Sequence, residues 1–270
     1  MIPKVIHYCW FGDKSLPDDA KKCITSWKKY FPDYEIKEWN ESNYDFNSCP
    51  YVKEAYESKR WAFVSDYARF DILYKYGGLY FDTDVEVIKS FEDILEKGGF
   101  MGQEAGVTSE AVAVNPGLGI AVASGLQLYK EILNYYNGIH FIKDGVMDTT
   151  TICVYTTKIL KKYGYDENKE AIQEVAGITV YPPEYFGSQN INTGVLTITE
   201  NTHSIHHYSA SWLTKWDKIV MEIERCKNRD GMELKIRRMI SFPIRVINKI
   251  DKMGLKKTAK FAVGKIKRKK

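Results

Sequence analysis

A chain of 270 residues with 44% hydrophobic and 27% charged side chains has the makeup of a globular protein, one large domain or one domain with an appendage. Its net charge of +4 divides unevenly: residues 232–270 hold 14 Lys and Arg against two acids, a net of +12, which leaves −8 on residues 1–231. An acidic body argues against nucleic acid as a partner, and five scattered cysteines without a CxxC pair argue against a disulfide framework or a structural zinc site.

Met1-Ile2-Pro3-Lys4 opens the chain without a charged segment followed by a long apolar run, and no stretch approaches the length of a transmembrane helix, so the expected location is the cytoplasm. Val5-Ile6-His7-Tyr8-Cys9-Trp10 reads as a buried first strand closed by Phe11-Gly12-Asp13. A helix is expected from Pro17 to about Tyr30, and Tyr34–Trp39 alternates as a second strand. This β-α-β opening predicts an α/β fold, a parallel sheet with helices on its faces. Residues 60–76 carry the clearest helical period, with Phe63, Tyr67, Phe70, Leu73 and Tyr74 at three- and four-residue spacing and Gly77-Gly78 as the stop. Leu79-Tyr80-Phe81 is a short apolar strand running into Asp82-Thr83-Asp84, after which Val85-Glu86-Val87 resumes the extended pattern. Further on, 111–114 reads as a strand, 119–136 and 148–163 as helices, 178–181 and 204–208 as strands, and 214–228 as a helix. The tail sets Ile236, Ile240, Ile244 and Ile247 on one helical face, with Arg237, Arg238, Arg245 and Lys249 off it. Pro243 is expected to kink or split that helix, and a second basic helix is expected from Leu255 to Ile266. The expected division is a folded domain over 1–230 and a basic amphipathic tail over 231–270.

The chemistry concentrates at Asp82-Thr83-Asp84. Two carboxylates one residue apart, on a turn leaving a strand, can converge on one hard cation such as Mg²⁺ or Mn²⁺, which neutralises a departing diphosphate. A lone Asp-x-Asp is more often a solvated turn. Asp66 and Arg69 lie three apart on one helix face and read either as a surface ion pair or as part of a site. Trp10 ends the first strand, where open α/β sheets bind nucleotides, although a core indole is the plain alternative. On the late strand, His206 and His207 point to opposite sides if the strand is regular. Asn115, Asp148, Thr149-Thr150-Thr151 and Gln189-Asn190 form polar clusters in loops, the expected acceptor side.

The long run from Ser65-Asp66 through Arg69, Gly77-Gly78 and Tyr80-Phe81-Asp82-Thr83-Asp84 resembles glycosyltransferase family 32, the DXD-containing sugar transferases that include capsular polysaccharide and outer-chain mannosyl enzymes. It is also similar to the catalytic domain of the large glucosylating toxins. Ile2–Gly12, Trp27–Trp39 with Pro32-Asp33-Tyr34, and the ending near Trp212 extend the resemblance over about residues 1–215. The resemblance implies a GT-A-like, Rossmann-type nucleotide-sugar-binding domain. It implies transfer, with retention of anomeric configuration, from a nucleotide diphosphate sugar such as a UDP sugar to a glycan or lipid-linked saccharide, in capsular or cell-surface polysaccharide synthesis. By the same resemblance Asp82 and Asp84 bind Mn²⁺ or Mg²⁺, Asp82 also touches the ribose, and the His207-Tyr208 pair makes His207 the third ligand. Asp66 and Arg69 then face the donor sugar, Trp10 stacks on the base, and Ser211 and Trp212 cover the diphosphate. The catalytic set is thus Asp66, Arg69, Asp82 and Asp84. Family members often carry Thr-Gly-Pro where this chain has Thr149-Thr150-Thr151, so the acceptor pocket departs from the pattern. No residue stands out as a covalent nucleophile, which favours attack from the same face as the departing phosphate. The tail is expected to contact anionic lipid at the inner face of the membrane through apolar burial and charge together. The rival readings are a metal-dependent phosphate-ester or nucleotide-sugar hydrolase and a non-catalytic sugar-binding protein of the same fold.

Overall fold

The computed structural model describes residues 1–104, 113–209, 213–226 and 231–253, with side chains up to residue 250. The chain divides into two compact units, Met1–Ile191 with Val195–Ser209, and Asn192–Gly194 with Ala210–Lys270. The boundary read from the sequence at residue 230 falls inside the second unit, between its two described helices. The expected helix from Leu255 to Ile266 lies outside the described residues.

The first unit follows the order β1 (Val5–Cys9), α1 (Asp18–Tyr30), β2 (Glu35–Trp39), α2 (Pro50–Glu57), α3 (Trp61–Tyr76), β3 (Gly78–Tyr80), β4 (Val85–Val87), α4 (Glu92–Leu95), β5 (Phe100–Glu104), β6 (Ala113–Val114) and β7 (Ile120–Val122). It continues with α5 (Gln127–Asn137), β8 (Ile142–Lys143), β9 (Val146–Met147), α6 (Ile152–Lys161), β10 (Gln173–Val175), β11 (Ile178–Tyr181), α7 (Pro183–Phe186) and β12 (Ser204–His206). The main sheet runs β10-β11-β5-β7-β3-β1-β2, with β6 on β5. β1 pairs parallel with both β2 and β3, and β11 pairs parallel with β5. β7 runs antiparallel between β3 and β5, so the sheet is mixed rather than parallel throughout. A tight turn causes the reversal: Asn115 opens a single helical turn at Pro116–Leu118, and Ile120 re-enters the sheet two residues later. This also corrects the helix expected from 119, which begins only at Gln127. Ile120-Ala121-Val122 is a fully buried run, and such runs carry no period that separates strand from helix.

Helices cover both faces. Side chains of α2, α3, α5 and α6 fill one apolar cluster and those of α1, β4 and α7 fill the other. α3 lies within the first cluster and is buried nearly all round, from Phe63 to Leu73, so it tolerates charge only where that charge is paired. Gly77 and Gly78, at φ 67° and 103°, end α3 and admit β3 beside β1. A Cβ on Gly78 would sit 2.7 Å from the Val5 carbonyl oxygen, so only glycine lets the strands approach there. His7 locks the same corner: its Nε2–H donates to the Gly77 carbonyl at 3.0 Å while Nδ1 accepts the Trp39 indole N–H at 3.1 Å. Burial pushes the His7 pKa down to about 4, so the ring is neutral and can serve as donor and acceptor at once.

In the second unit α8 (Lys215–Glu224) begins with a capping box between Thr214 and Asp217, and α9 (Met232–Met253) packs on it. Leu234, Ser241 and Asn248 form the buried face of α9, with Ser241 and Arg245 both bonded to Glu224. The helix continues past Pro243 instead of splitting, although the Met239 carbonyl loses its usual N–H partner there. No helix among the described residues is long and apolar enough to cross a membrane.

Candidate active site

The strand order creates the site. From β1 the chain moves to β2 on one side, then returns through α2 and α3 to β3 on the other side. The carboxyl ends of β1 and β3 therefore flank a point where the winding direction reverses, the place where open α/β sheets form a crevice. Trp10 follows the end of β1, and Asp82 follows the end of β3.

Asp82 is fixed from below by Arg69, whose side chain is only 3% exposed. The guanidinium reaches Asp82 twice, Nη2 to Oδ1 at 3.1 Å and Nη1 to Oδ2 at 3.4 Å. The same Nη2 donates to Asp66 Oδ1 at 3.0 Å, and Nε–H donates to the Ser65 carbonyl at 3.1 Å. The Tyr80 hydroxyl donates to Asp82 Oδ1 at 3.2 Å, with its ring beneath the guanidinium. The spacing of Asp66 and Arg69 thus makes a buried pair that reaches across to the Asp-x-Asp turn, not a surface bridge. Burial opposes the Arg69 charge, but Asp82, Tyr80 and Asp66 outweigh it and hold the guanidinium firmly protonated. Burial raises Asp66 to about 7 against the pull of Arg69. Burial also raises Asp82, with Arg69 pulling down and Asp84 pushing up.

Asp84 is positioned by α1 and β12. The Trp27 indole N–H donates to the Val85 carbonyl at 2.8 Å and Ser26 Oγ accepts the Val87 N–H at 2.9 Å, which pins β4 to α1. β12 pairs antiparallel with β4, placing His206 opposite Val85. His206 Nε2 lies 3.1 Å from Asp84 Oδ1. Tyr208 then adopts a left-handed φ of 48°, turning the chain so that the Ser209 N–H donates to Asp84 Oδ2 at 2.8 Å. Burial pushes the Asp84 pKa up, but His206 and Ser209 pull harder and hold it well below the usual carboxylate range.

His206, not His207, stands with the two aspartates, and this corrects the expectation for His207. Ser204 and His206 share the inward side of β12 with Val85 and Val87, whereas the His207 ring points outward, its Nε2 2.9 Å from Glu86. The inference from the His-Tyr pair assigned the wrong parity to this strand; the register of β12 on β4, which decides it, is not written in either segment alone. Ligand atoms of Asp82, Asp84 and His206 lie within 4.8 Å of one another. Two carboxylates and an imidazole suit Mn²⁺ better than Mg²⁺. Among the described residues His206 Nδ1 is buried without a hydrogen-bond partner, as expected of a ring whose place is set by something beyond the apoprotein. The donor set therefore fits a divalent cation.

Trp10 is half-buried beside this edge, its indole N–H donating to the Lys14 carbonyl at 2.5 Å. Ser211 and Trp212 lie outside the described residues. Among the polar loop clusters, Asn115 joins the site: its Oδ1 accepts the Gly117 N–H at 2.8 Å, and Gly117 packs so closely on Asp82 that a Cβ would sit 2.3 Å from Asp82 Oδ2. Asp148 instead caps its own loop, accepting the Thr150 N–H at 3.0 Å. Glu104 at the end of β5 is a buried carboxylate that sequence reading missed, because Phe100–Glu104 shows neither alternation nor a motif.

The family model of the glycosyltransferase sugar-binding region containing DXD motif matches residues 17–100. The chain is 29% identical over 116 residues to inositol phosphoceramide mannosyltransferase 1 of Schizosaccharomyces pombe, covering 37% of this chain and 33% of that protein. It is 34% identical over 102 residues to inositol phosphoceramide mannosyltransferase 3 of the same organism, covering 35% of this chain and 27% of that one. An uncharacterised glycosyltransferase of Acanthamoeba polyphaga mimivirus is 33% identical over 110 residues, covering 37% of this chain and 42% of that protein. The chain thus spans between about a quarter and two fifths of the length of these curated relatives. Among solved structures, the PaToxG glycosyltransferase superposes over 60% of this chain and 69% of its own, with 20% identity and a TM-score of 0.44. The galactosyltransferase LgtC superposes over 88% and 95%, with 11% identity and a TM-score of 0.40. Residues 17–100, which carry Asp66, Arg69, Asp82 and Asp84, are thus similar to the glycosyltransferase sugar-binding region containing DXD motif.

Proposed function

We propose that this protein is a metal-dependent, retaining glycosyltransferase of GT-A type, which moves a sugar from a nucleotide diphosphate sugar, a UDP sugar in the first instance, to a glycan or lipid-linked saccharide. The observation that carries this is the convergence of Asp82, Asp84 and His206 at the reversal point of the sheet, directly above the buried Arg69–Asp66 pair. Asp82, Asp84 and His206 would hold Mn²⁺, which supplies charge neutralisation for the departing diphosphate. Arg69 binds both Asp66 and Asp82 and keeps a permanent positive charge under the donor. Asp66, 13% exposed at its side chain, accepts hydrogen bonds from donor-sugar hydroxyls. Trp10 offers an aromatic face to the base at the end of β1. With no nucleophile evident, acceptor attack on the same face as the departing phosphate accounts for retention; isolation of a covalent glycosyl-enzyme would overturn that step. The relatives named as mannosyltransferases acting on a phosphoceramide make mannose a donor sugar to test beside the UDP sugars, and a lipid-linked acceptor a candidate. The activity is tested by following labelled sugar from UDP and GDP donors into saccharide and lipid fractions. Transfer abolished by EDTA and by Asp82→Asn supports the reading, whereas release of free sugar as the dominant product favours a hydrolase.

The second unit supports peripheral attachment to the inner face of the membrane, where capsular or cell-surface polysaccharide is built. The α9 face opposite Leu234, Ser241 and Asn248 exposes Ile236, Met239, Ile240, Val246 and Ile247. Arg237 and Arg245, in contrast, are engaged by Glu233 and Glu224. An exposed apolar row in a segment of net +12 suits an anionic lipid surface. Co-sedimentation with phosphatidylglycerol vesicles tests it: Ile240→Asp should release the protein, and unchanged sedimentation of that variant would contradict attachment through α9.

A further inference from the structure

Behind the aspartate–histidine cluster lies a further buried carboxylate. Glu104, 5% exposed at the end of β5, forms no ion pair with Lys or Arg among the described residues. An ionised carboxylate buried without a cation costs several kcal/mol unless hydrogen bonds or a nearby charge compensate it. Asn115 Nδ2 donates a hydrogen bond to Glu104 Oε2. Asn115 passes that contact on: its N–H donates to the Gly102 carbonyl at 2.9 Å and its Oδ1 accepts the Gly117 N–H at 2.8 Å. Gly117 is the residue whose backbone presses on Asp82, with room for no side chain between. On its other side Glu104 faces His206 and the Tyr208 hydroxyl, and His206 is the ring whose Nδ1 is buried and has no hydrogen-bond partner among the described residues.

One buried carboxylate thus touches both arms of the cluster, Asp82 through Asn115 and Gly117, and His206 through its field. Among the described residues, the carboxyl groups of Asp66, Asp82, Asp84 and Glu104 outnumber the basic groups they face, Arg69 and His206. We infer that Glu104 is a positioning residue of the cation site, which orders the Asn115–Gly117 turn against Asp82 and supplies negative charge behind His206. This rests on the reading of Asp82, Asp84 and His206 as metal ligands. Such outer carboxylates orient first ligands and raise their affinity for a cation, and removing one costs about 10- to 100-fold in metal binding.

The test is calorimetric binding of Mn²⁺ alone to the full chain, for the wild type, Glu104→Gln and Asn115→Ala, with thermal melting of each in EDTA. Glu104→Gln keeps the size of the side chain and removes its charge. The expected result is a Kd for Mn²⁺ raised at least tenfold in both variants, with metal-free melting of Glu104→Gln close to wild type. A Glu104→Gln variant that binds Mn²⁺ as the wild type does overturns the inference, even if it melts earlier, because a purely structural role would move melting and not affinity. Should Glu104→Gln fail to fold, Asn115→Ala decides alone, and wild-type affinity in it overturns the inference. Absence of Mn²⁺ binding by the wild type is a separate outcome that removes the metal site, and the role of Glu104 with it.

Discussion

Asp82 and Asp84 stand one residue apart on the same turn, yet the fold treats them in opposite ways. Asp82 shares a single buried guanidinium with Asp66, and burial leaves it with a raised pKa. Asp84 has a histidine and a backbone N–H to itself and is held well below the usual range. The difference teaches that Asp84 is the arm fixed as an anion in the bare protein, whereas Asp82 belongs to a set of carboxylates short of positive charge. A second cation at the turn would complete that set, which is why the pair reads as half of a candidate metal site and not as a solvated turn.

The comparison breaks most severely if Arg69 is removed. Arg69→Ala leaves Asp66 and Asp82 buried without a cation and should cost about 3–5 kcal/mol of stability. Lysine should not rescue it, because one ammonium cannot span both carboxylates in the fork geometry. Chemical denaturation of the two variants checks both statements, and an Arg69→Lys variant as stable as the wild type would show that the fork is not needed.

A smaller effect sharpens the comparison from beneath, through His7, which ties Gly77 and hence β3 in place below Asp82. Its pKa is about 4 in the fold against 6.5 in an unfolded chain. Between those values the unfolded state binds the extra proton, so this contribution is fully present at neutral pH and is lost as pH falls from 6.5 to 4. It amounts to about 3 kcal/mol. Asp66 works the other way, since its raised pKa favours the fold less as pH climbs towards 7, so the wild-type profile alone does not isolate His7. The stability difference between wild type and His7→Gln should shrink on acidification across this window, and a difference independent of pH would contradict the neutral-ring assignment.

The mildest change separates the two histidines. His206→Ala, which removes a ligand outright, should weaken Mn²⁺ binding at least as much as loss of an outer carboxylate, by more than about tenfold, while His207→Ala, which loses only an exposed contact with Glu86, should stay within about twofold of the wild type. The reverse order would restore His207 as the ligand.

Much of this site was legible before the structure. The periodic run from Trp61 to Tyr76, the Gly-Gly stop and the apolar strand ending in Asp82 each follow local rules, and they locate Asp66, Arg69, Asp82 and Asp84 together. What stayed hidden depends on pairing between distant segments. Which face of β12 turns inward is decided by its register on β4, more than 100 residues away, and a slip of one residue exchanges His206 for His207. Glu104 and Asn115 come together through the antiparallel pairing of β6 on β5, a pairing that the buried run Phe100–Glu104 does not announce.

Asp82, Asp84 and His206 are proposed to form a cation site that recruits a nucleotide diphosphate sugar. The most direct test is calorimetric binding of UDP, GDP and their sugar conjugates, with and without Mn²⁺, to the wild type and to Asp84→Ala. Binding of one nucleotide class that requires Mn²⁺ and is lost in the variant is expected. Binding of none of these nucleotides in the presence of Mn²⁺, or equal binding by Asp84→Ala, would contradict it.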